Sequence, residues 1–183
     1  MKVLGISGSW GERAYNTLLL KNVFEMLPQE AEKELVLAGS YPLYRESGEE
    51  PQEIRSLKEK IRSADLVFIS TPEHNHSYSA SLKSLLDWVS YPLESNPFQW
   101  KVVATMSAST GSLGGPRAQE HLWIVLKSLG AILVPGPEVF VVNADKKFDS
   151  EGKLTDEASK RYIAQLIDNS IRLAKAISSF ARS

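Results

Sequence analysis

"GSWGERAYN", residues 8–16, follows the apolar opening "MKVLGIS" and runs into "NTLLLKNVFEML". The opening reads as a strand, and Leu19, Leu20, Val23, Phe24 and Leu27 recur at the spacing of one helix face from Asn16 onward. Between them lies a loop of small and polar residues at the carboxyl end of a strand. It opens into a helix N-terminus, where unpaired N–H groups and the helix dipole favour an anion. Ser9 and Asn16 offer side-chain hydrogen bonds there, and Arg13 offers charge. No Gly-Lys-Ser/Thr triplet occurs, so the nucleoside-triphosphate loop is absent. Glycines at 5, 8 and 11 miss the dinucleotide spacing, and no acid closes the second strand to take a ribose. Two readings remain: a loop for a phosphate without a large nucleotide, and a serine-rich turn that only caps the first helix.

The alternation of short apolar runs with helical patterns continues along the chain. Strands are expected at 34–38, 65–70, 101–107 and 131–134, with a further short extended piece at 138–142. Residues 39–51 form a turn-rich, charged loop, and helices are expected at 52–63, 79–90, 116–129 and about 156–180. In the last helix Thr155 is the expected N-cap, Asp156 and Glu157 suit the positive end, and Ile163, Leu166, Ile171, Ala174 and Ile177 form the buried stripe. This pattern predicts an α/β doubly wound five-stranded parallel sheet with helices on both faces. No repeat or long linker divides the chain, so residues 1–183 are expected to form one domain.

Composition narrows the function classes. The 183 residues are 43% hydrophobic and 23% charged, with a formal net charge of −1. That balance argues against a nucleic-acid partner, which needs a basic stripe, and nothing in it suggests a membrane surface. With no cysteine, the chain holds no disulfide, thiolate nucleophile or iron–sulfur cluster. The first apolar run breaks at Ser7-Gly8-Ser9, short of a signal-peptide core, and a cytoplasmic protein is expected.

Ligands of open α/β sheets bind outside the carboxyl ends of the strands. Two more loops leave such ends, "TPEHNHSYS" (71–79) and "SASTGSLGG" (107–115). Pro72 biases Thr71 towards an extended shape, and the N–H groups of "EHNHS" suit the polar edge of a heterocycle. Glycines in the third loop let backbone approach a planar ligand closely. A phosphate site at one end and a ring site at the other point to flavin mononucleotide. Other chemistries fit less well. Glu73, His74 and His76 have metal-ligand side chains, but histidines two apart on a loop more commonly hydrogen-bond. Ser7, Ser9, Ser107 and Ser109 lack a Gly-x-Ser-x-Gly elbow, His121 lies within a helix, and "GISGS" lacks the acids of a phosphoacceptor domain. No side chain is assigned a catalytic acid or base role.

The sequence resembles the NADPH-dependent FMN reductases, flavodoxin-like oxidoreductases that include quinone, azo-dye and chromate reductases. Four blocks carry the likeness: "GISGSWGERAYNTLLL", "ADLVFISTPEHNHSYSASLKSLLDWVS", "SASTGSLGGPRAQEHLWIVLKSLGA" and "KKFDSEGKLTDEA". The resemblance implies a sheet of order 2-1-3-4-5. It implies that Ser9, Arg13, Ala14, Tyr15 and Asn16 hold the FMN phosphate, and that Pro72, Glu73, His74 and Asn75 wrap the ring edge, largely through backbone. Ser107, Ser109 and Gly111 would close the other side. The chain departs from the family at Gly11 and Ala14, where an arginine and a serine are usual, at the acid Glu12, and at His74 and His76, where an aromatic and often a glycine stand. Arg13 is then the expected phosphate cation, its removal costing about 1–3 kcal/mol of FMN binding.

The implied reaction is ping-pong. NADPH or NADH passes hydride to flavin N5 and leaves, and FMN itself, a quinone, an azo compound or another small acceptor follows. The alternative, an FMN electron carrier without turnover of its own, is usually strongly acidic, which a net charge of −1 does not match. Tyr78, Trp88, Tyr91 and Trp100 are candidates for core packing or for the contact of a homodimer or homotetramer, with Arg117 reaching towards the partner.

Overall fold

Each apolar run of the sequence becomes a strand because its residues alternate between two cores, one on each face of a sheet. The computed structural model describes residues 1–46 and 49–180. Its elements are β1 (Lys2–Ser7), α1 (Tyr15–Met26), β2 (Glu32–Leu37), α2 (Gln52–Ser63), β3 (Leu66–Ser70), β4 (Glu73–His74), β5 (Ser77–Tyr78), α3 (Ala80–Ser90), β6 (Val102–Ala108), α4 (Pro116–Ser128), β7 (Ile132–Leu133), β8 (Val139–Val141), α5 (Ala144–Lys147) and α6 (Glu157–Phe180). In β3, Leu66 and Phe68 join Val3, Leu19, Leu20, Val23, Ile163 and Leu166, so α1 and α6 cover that face. Val67 and Ile69 join Leu4, Ile6, Ile54, Leu57, Leu82 and Leu122, so α2, α3 and α4 cover the other. A strand sealed on both sides has no place for an alternating polar residue, hence the unbroken "LVFI".

The main sheet is parallel throughout, in the order β2-β1-β3-β6, and its fifth position is shared by β7 and β8. β7 pairs Val102 and Val103 of β6, and β8 pairs Met106, Ser107 and Ala108. The expected fifth strand and the extended piece after it are thus two halves of one edge strand. Pro135 and Pro137 lie between them, and neither has an N–H to give to a ladder.

Three expectations are corrected. The last helix is capped by Asp156, not Thr155. Asp156 Oδ2 accepts from Ser159 N at 2.8 Å and from Ser159 Oγ at 2.6 Å, while the Thr155 hydroxyl donates to the Lys147 carbonyl. Those bonds from Ser159, hydroxyl first and then backbone, hold the Asp156 carboxyl at about 2. The buried stripe of α6 runs through Ile163, Leu166, Ile167, Ser170 and Ala174, with Ile171 and Ile177 only flanking it. Finally, 71–79 is a small β-hairpin rather than an irregular loop: β4 and β5 pair antiparallel, His74 opposite Ser77. Part of the 39–51 loop, Ser47 and Gly48, lies outside the described residues.

Candidate functional site

The carboxyl ends of β1, β3 and β6 meet at one edge of the sheet, and a crevice of about 490 Å³ opens there. Its wall is formed by Ser9, Trp10, Gly11, Ala14, Tyr15 and Asn16 from the first loop and Pro72, Glu73 and His74 from the hairpin. Ala108, Ser109 and Thr110 complete it from the end of β6.

The first loop leaves β1 held by hydrogen bonds to its neighbours. Gly8 N extends the ladder by donating to the Ser70 carbonyl at 2.8 Å, and the Gly8 carbonyl accepts from Ser79 Oγ at 2.7 Å and Ser81 Oγ at 3.1 Å. A Cβ on Gly8 would fall 2.8 Å from Thr71 Oγ1, so only glycine fits this crossing. Ser9 N donates to Ser7 Oγ at 3.2 Å, and Ser7 Oγ in turn shares a hydrogen bond with Thr17 Oγ1 at 2.8 Å. From there the backbone is unspent. The N–H groups of Trp10, Gly11, Glu12 and Arg13 and the Ser9 hydroxyl have no partner among the described residues. Ala14 stands at the N-cap of α1 and brings no side-chain acceptor. The reading of this loop as a capping turn therefore fails, because nothing in it caps. A concave row of free donors at a helix N-terminus fits a phosphate group.

Two residues assigned to the phosphate sit elsewhere or do something else. Arg13 lies outside the crevice and donates through Nη2 to the Ser150 carbonyl at 2.6 Å. Asn16 is buried and makes three hydrogen bonds: Nδ2 donates to the Ala108 carbonyl at 3.0 Å, and Oδ1 accepts from Ala108 N at 2.8 Å and Ser70 Oγ at 2.9 Å. Its amide ties α1 to the ends of β3 and β6 at the crevice wall. Glu12, the unwelcome acid, is met by Lys21 at 2.6 Å. Tyr15 packs at a tilt against Phe148, with ring centroids 5.6 Å apart.

In the hairpin, Asn75 (φ +49°) and His76 (φ +66°) form a two-residue turn with both residues left-handed. That is the type I′ geometry whose twist matches a tight hairpin. Glu73 and His74 reach the crevice, while Asn75 is at the tip and does not. The Glu73 carboxylate accepts from Arg117 N at 3.1 Å and Ala118 N at 3.4 Å, so it caps α4 from outside the helix. Arg117 Nη1 lies 3.6 Å from Glu73 Oε1 and 2.9 Å from His76 Nδ1. The guanidinium thus sits where a metal bound by Glu73 and His76 would need to be, and it is engaged within its own chain. Tyr78 is core, its phenol pushed up to about 12 by burial and secondarily by Asp87. Trp88 is core too, donating from Nε1 to the Pro42 carbonyl at 2.9 Å, whereas Tyr91 and Trp100 are exposed.

The third loop is tied internally at its serines nearest the strand. Ser107 Oγ is buried, donating to the Gly114 carbonyl at 2.6 Å and accepting from Gln119 Nε2 at 2.8 Å. Ser109 N donates to the Val141 carbonyl at 3.0 Å, and Ser109 Oγ accepts from Gly111 N at 3.1 Å. Gly114 (φ +76°) would place a Cβ 2.8 Å from Phe140 Cβ, so this glycine serves packing over β8 rather than approach to a ligand. Ser109 lines the crevice, and Ser107 and Gly111 do not. Sequence reasoning passed over Trp10, Ala108 and Thr110, all within stretches already singled out. Trp10 carried the plainest signal, an aromatic in a loop of small residues. It is 72% exposed and pressed on Gly39, where a Cβ would fall 2.7 Å from the indole.

A parallel doubly wound sheet with an anion-ready loop after its first strand, and a ring-sized crevice beside it, defines a flavodoxin-like flavoprotein. Residues 1–146 match the family described as NADPH-dependent FMN reductase, and the chain belongs to that family. It is 37% identical over 168 residues to an NAD(P)H-dependent FMN reductase of Pseudomonas aeruginosa, spanning 90% of each protein. It is 32% identical over 178 residues to an NADPH:quinone oxidoreductase of Arabidopsis thaliana, covering 91% of this chain and 88% of the other. The solved structure of the flavoenzyme NAD(P)H:(acceptor) oxidoreductase FerB from Paracoccus denitrificans superposes with a TM-score of 0.86 at 25% identity, covering 96% and 97% of the two chains. The protein is accordingly an oxidoreductase with FMN as its flavin and NAD(P)H as its co-substrate. A carrier role without turnover is not favoured.

Proposed function

We propose that the chain moves a hydride equivalent from NAD(P)H to a small quinone-type acceptor at the crevice described above. The carrying observation is the pair of unspent N–H groups of Trp10 and Gly11 at the crevice wall, which with Ser9 Oγ would hold the FMN phosphate by backbone and one hydroxyl. The hairpin residues Pro72 to His74 and the stretch Ala108 to Thr110 would flank the ring. When bound, FMN supplies two-electron chemistry at N5. NAD(P)H gives up two electrons and a proton as hydride and leaves as NAD(P)⁺. A quinone receives that electron pair and two protons and leaves as hydroquinone. Rigid strand ends and the Asn16 knot fix the geometry, and no side-chain acid or base is required because the crevice opens to water.

An absorption spectrum of the protein with added FMN, followed by anaerobic NAD(P)H and then a quinone, tests this. Bound flavin should bleach with NAD(P)H and recover its colour with quinone. Failure to retain flavin, or bleaching with no quinone-driven recovery, sinks the reading. The same reading makes the protein a cytoplasmic homodimer or homotetramer, supported by the exposed Tyr91 and Trp100; a monomer mass in light scattering removes that part.

Among the described residues no helix is long and apolar enough to cross a membrane.

A further inference from the structure

We infer that His76 and Arg117 form a proton-sensitive clasp that positions the hairpin wall of the crevice, with His76 a positioning residue. The inference rests on reading that crevice as the flavin site. Each strand of the hairpin is two residues long, far too short to hold its own shape in water. Its placement is therefore set by what it touches, and side chains tie it to α4 at three points. Glu73 caps the helix, His76 Nδ1 meets Arg117 Nη1 at 2.9 Å, and Ser77 Oγ meets His121 Nδ1 at 3.1 Å. Arg117 and His121 stand four residues apart, on one face of α4.

A guanidinium only donates, so His76 Nδ1 must accept. That requires a neutral imidazole with its proton on Nε2. The backbone at His76 is left-handed, a conformation disfavoured for any side chain and free for glycine. The bond to Arg117 is what the histidine gains there. Protonation occupies Nδ1 and sets two cations against each other at 2.9 Å. The charged and titratable groups around the ring are Glu73 on β4, Arg117 and His121 on α4, and His74 across the hairpin. Glu73 Oε1 lies 3.7 Å from His76 Nδ1 and 3.6 Å from Arg117 Nη1, while Oε2 is committed to the helix end. Turning this carboxylate towards an imidazolium weakens either its hold on Arg117 or its cap on α4. The wall is thus held tightest with His76 neutral.

The test compares FMN affinity, read from flavin fluorescence quenching, in the wild type and in His76→Gly. Glycine suits the left-handed turn, so the variant keeps its fold. The wild type should bind about three- to tenfold tighter at about pH 8, with the ratio falling towards one at about pH 5.5. Taking the ratio cancels ionisation of the FMN phosphate itself. His121→Gln should retain the pH dependence. A ratio that stays constant with pH, or a pH dependence that vanishes in His121→Gln, overturns the clasp. Amide exchange at Ser77 and Tyr78 in FMN-free protein, corrected for intrinsic rates, gives a readout independent of flavin. Protection should fall with pH in the wild type and not in His76→Gly. If exchange behaves so and no FMN binds at any pH, the functional reading fails and the clasp stands. Protection in the wild type that ignores pH overturns the clasp.

Discussion

The loops after β1 and after β6 look alike on paper, both built from glycine, serine and neighbours of small size, yet the first serine hydroxyl of each is used differently: Ser9 Oγ has no partner among the described residues, and Ser107 Oγ is bonded within the protein. Between Trp10 and Arg13 the backbone N–H groups point at no acceptor among the described residues. In the loop after β6, Ser107, Ser109 and Gly111 bond inside the protein, Gly114 and Gly115 take left-handed conformations that packing demands, and the N–H groups of Thr110 and of Ser112 to Gly115 likewise have no partner among the described residues. Trp10 to Arg13 are exposed, so water satisfies their donors in the free protein and an anion would take the place of that water. Composition marks both as loops. Only the destination of each hydrogen bond shows which hydroxyl is left free for a ligand.

The contrast can be attacked at its foundation first. Asn16, 2% exposed, joins the two loops by bonding Ala108 at both ends of its amide and accepting from Ser70. Asn16→Ala leaves the Ala108 N–H and carbonyl without partners in a dry site, and we expect a loss of about 2–4 kcal/mol in urea-unfolding free energy. A loss below about 1 kcal/mol would mean that water or backbone movement replaces the amide and that the two loops are independent.

A smaller effect sharpens the account of the open loop. Ser9→Ala should weaken FMN binding by about 1 kcal/mol, from one hydroxyl donor to an anion. Arg13→Ala should change it by less than about 0.5 kcal/mol, because the guanidinium is occupied at the Ser150 carbonyl. Equilibrium dialysis of both variants decides the matter. The reverse ranking would restore Arg13 as the phosphate cation and make its contact with Ser150 secondary.

A last test lies at a helix end that, unlike α1, closes itself. Asp156 caps α6, and Asp156→Ala should cost about 1 kcal/mol at neutral pH. Its folded-state value of about 2 lies below the ordinary aspartate value of 3.8, so this stabilisation is complete above about pH 4 and disappears as pH falls through about 2. Thermal melts of wild type and variant should converge across that interval. A gap that persists at the acid end would show that the contribution comes from something other than the ionised carboxylate.

Much of the molecule was readable from residue order. Unbroken runs such as "LVFI" and helical spacing such as Leu19, Leu20 and Val23 fix which segments are strands and helices, because burial on two faces and on one face leave different periodicities. The same logic misplaced one cap, since Thr155 and Asp156 are both competent and only the direction of Ser159 selects the acid. The crevice was legible as three loops at strand ends, but membership was not. Arg13 has the chemistry of a phosphate ligand and Asn16 that of a donor. Ser150 and Ala108, more than ninety residues away for Asn16 and further still for Arg13, take those groups first.

By itself, then, the order of residues determined the layered sheet, the edge at which a ligand enters and the family to which the chemistry belongs. These depend on local periodicity and on short blocks that each carry their own meaning. Tertiary structure decided which donors remain free, that Asn16 ties α1 to the ends of β3 and β6, and that His76 faces Arg117 across the hairpin. Such outcomes turn on competition between partners distant in the chain, and a hydrogen-bonding group goes to whichever acceptor the fold brings within about 3 Å.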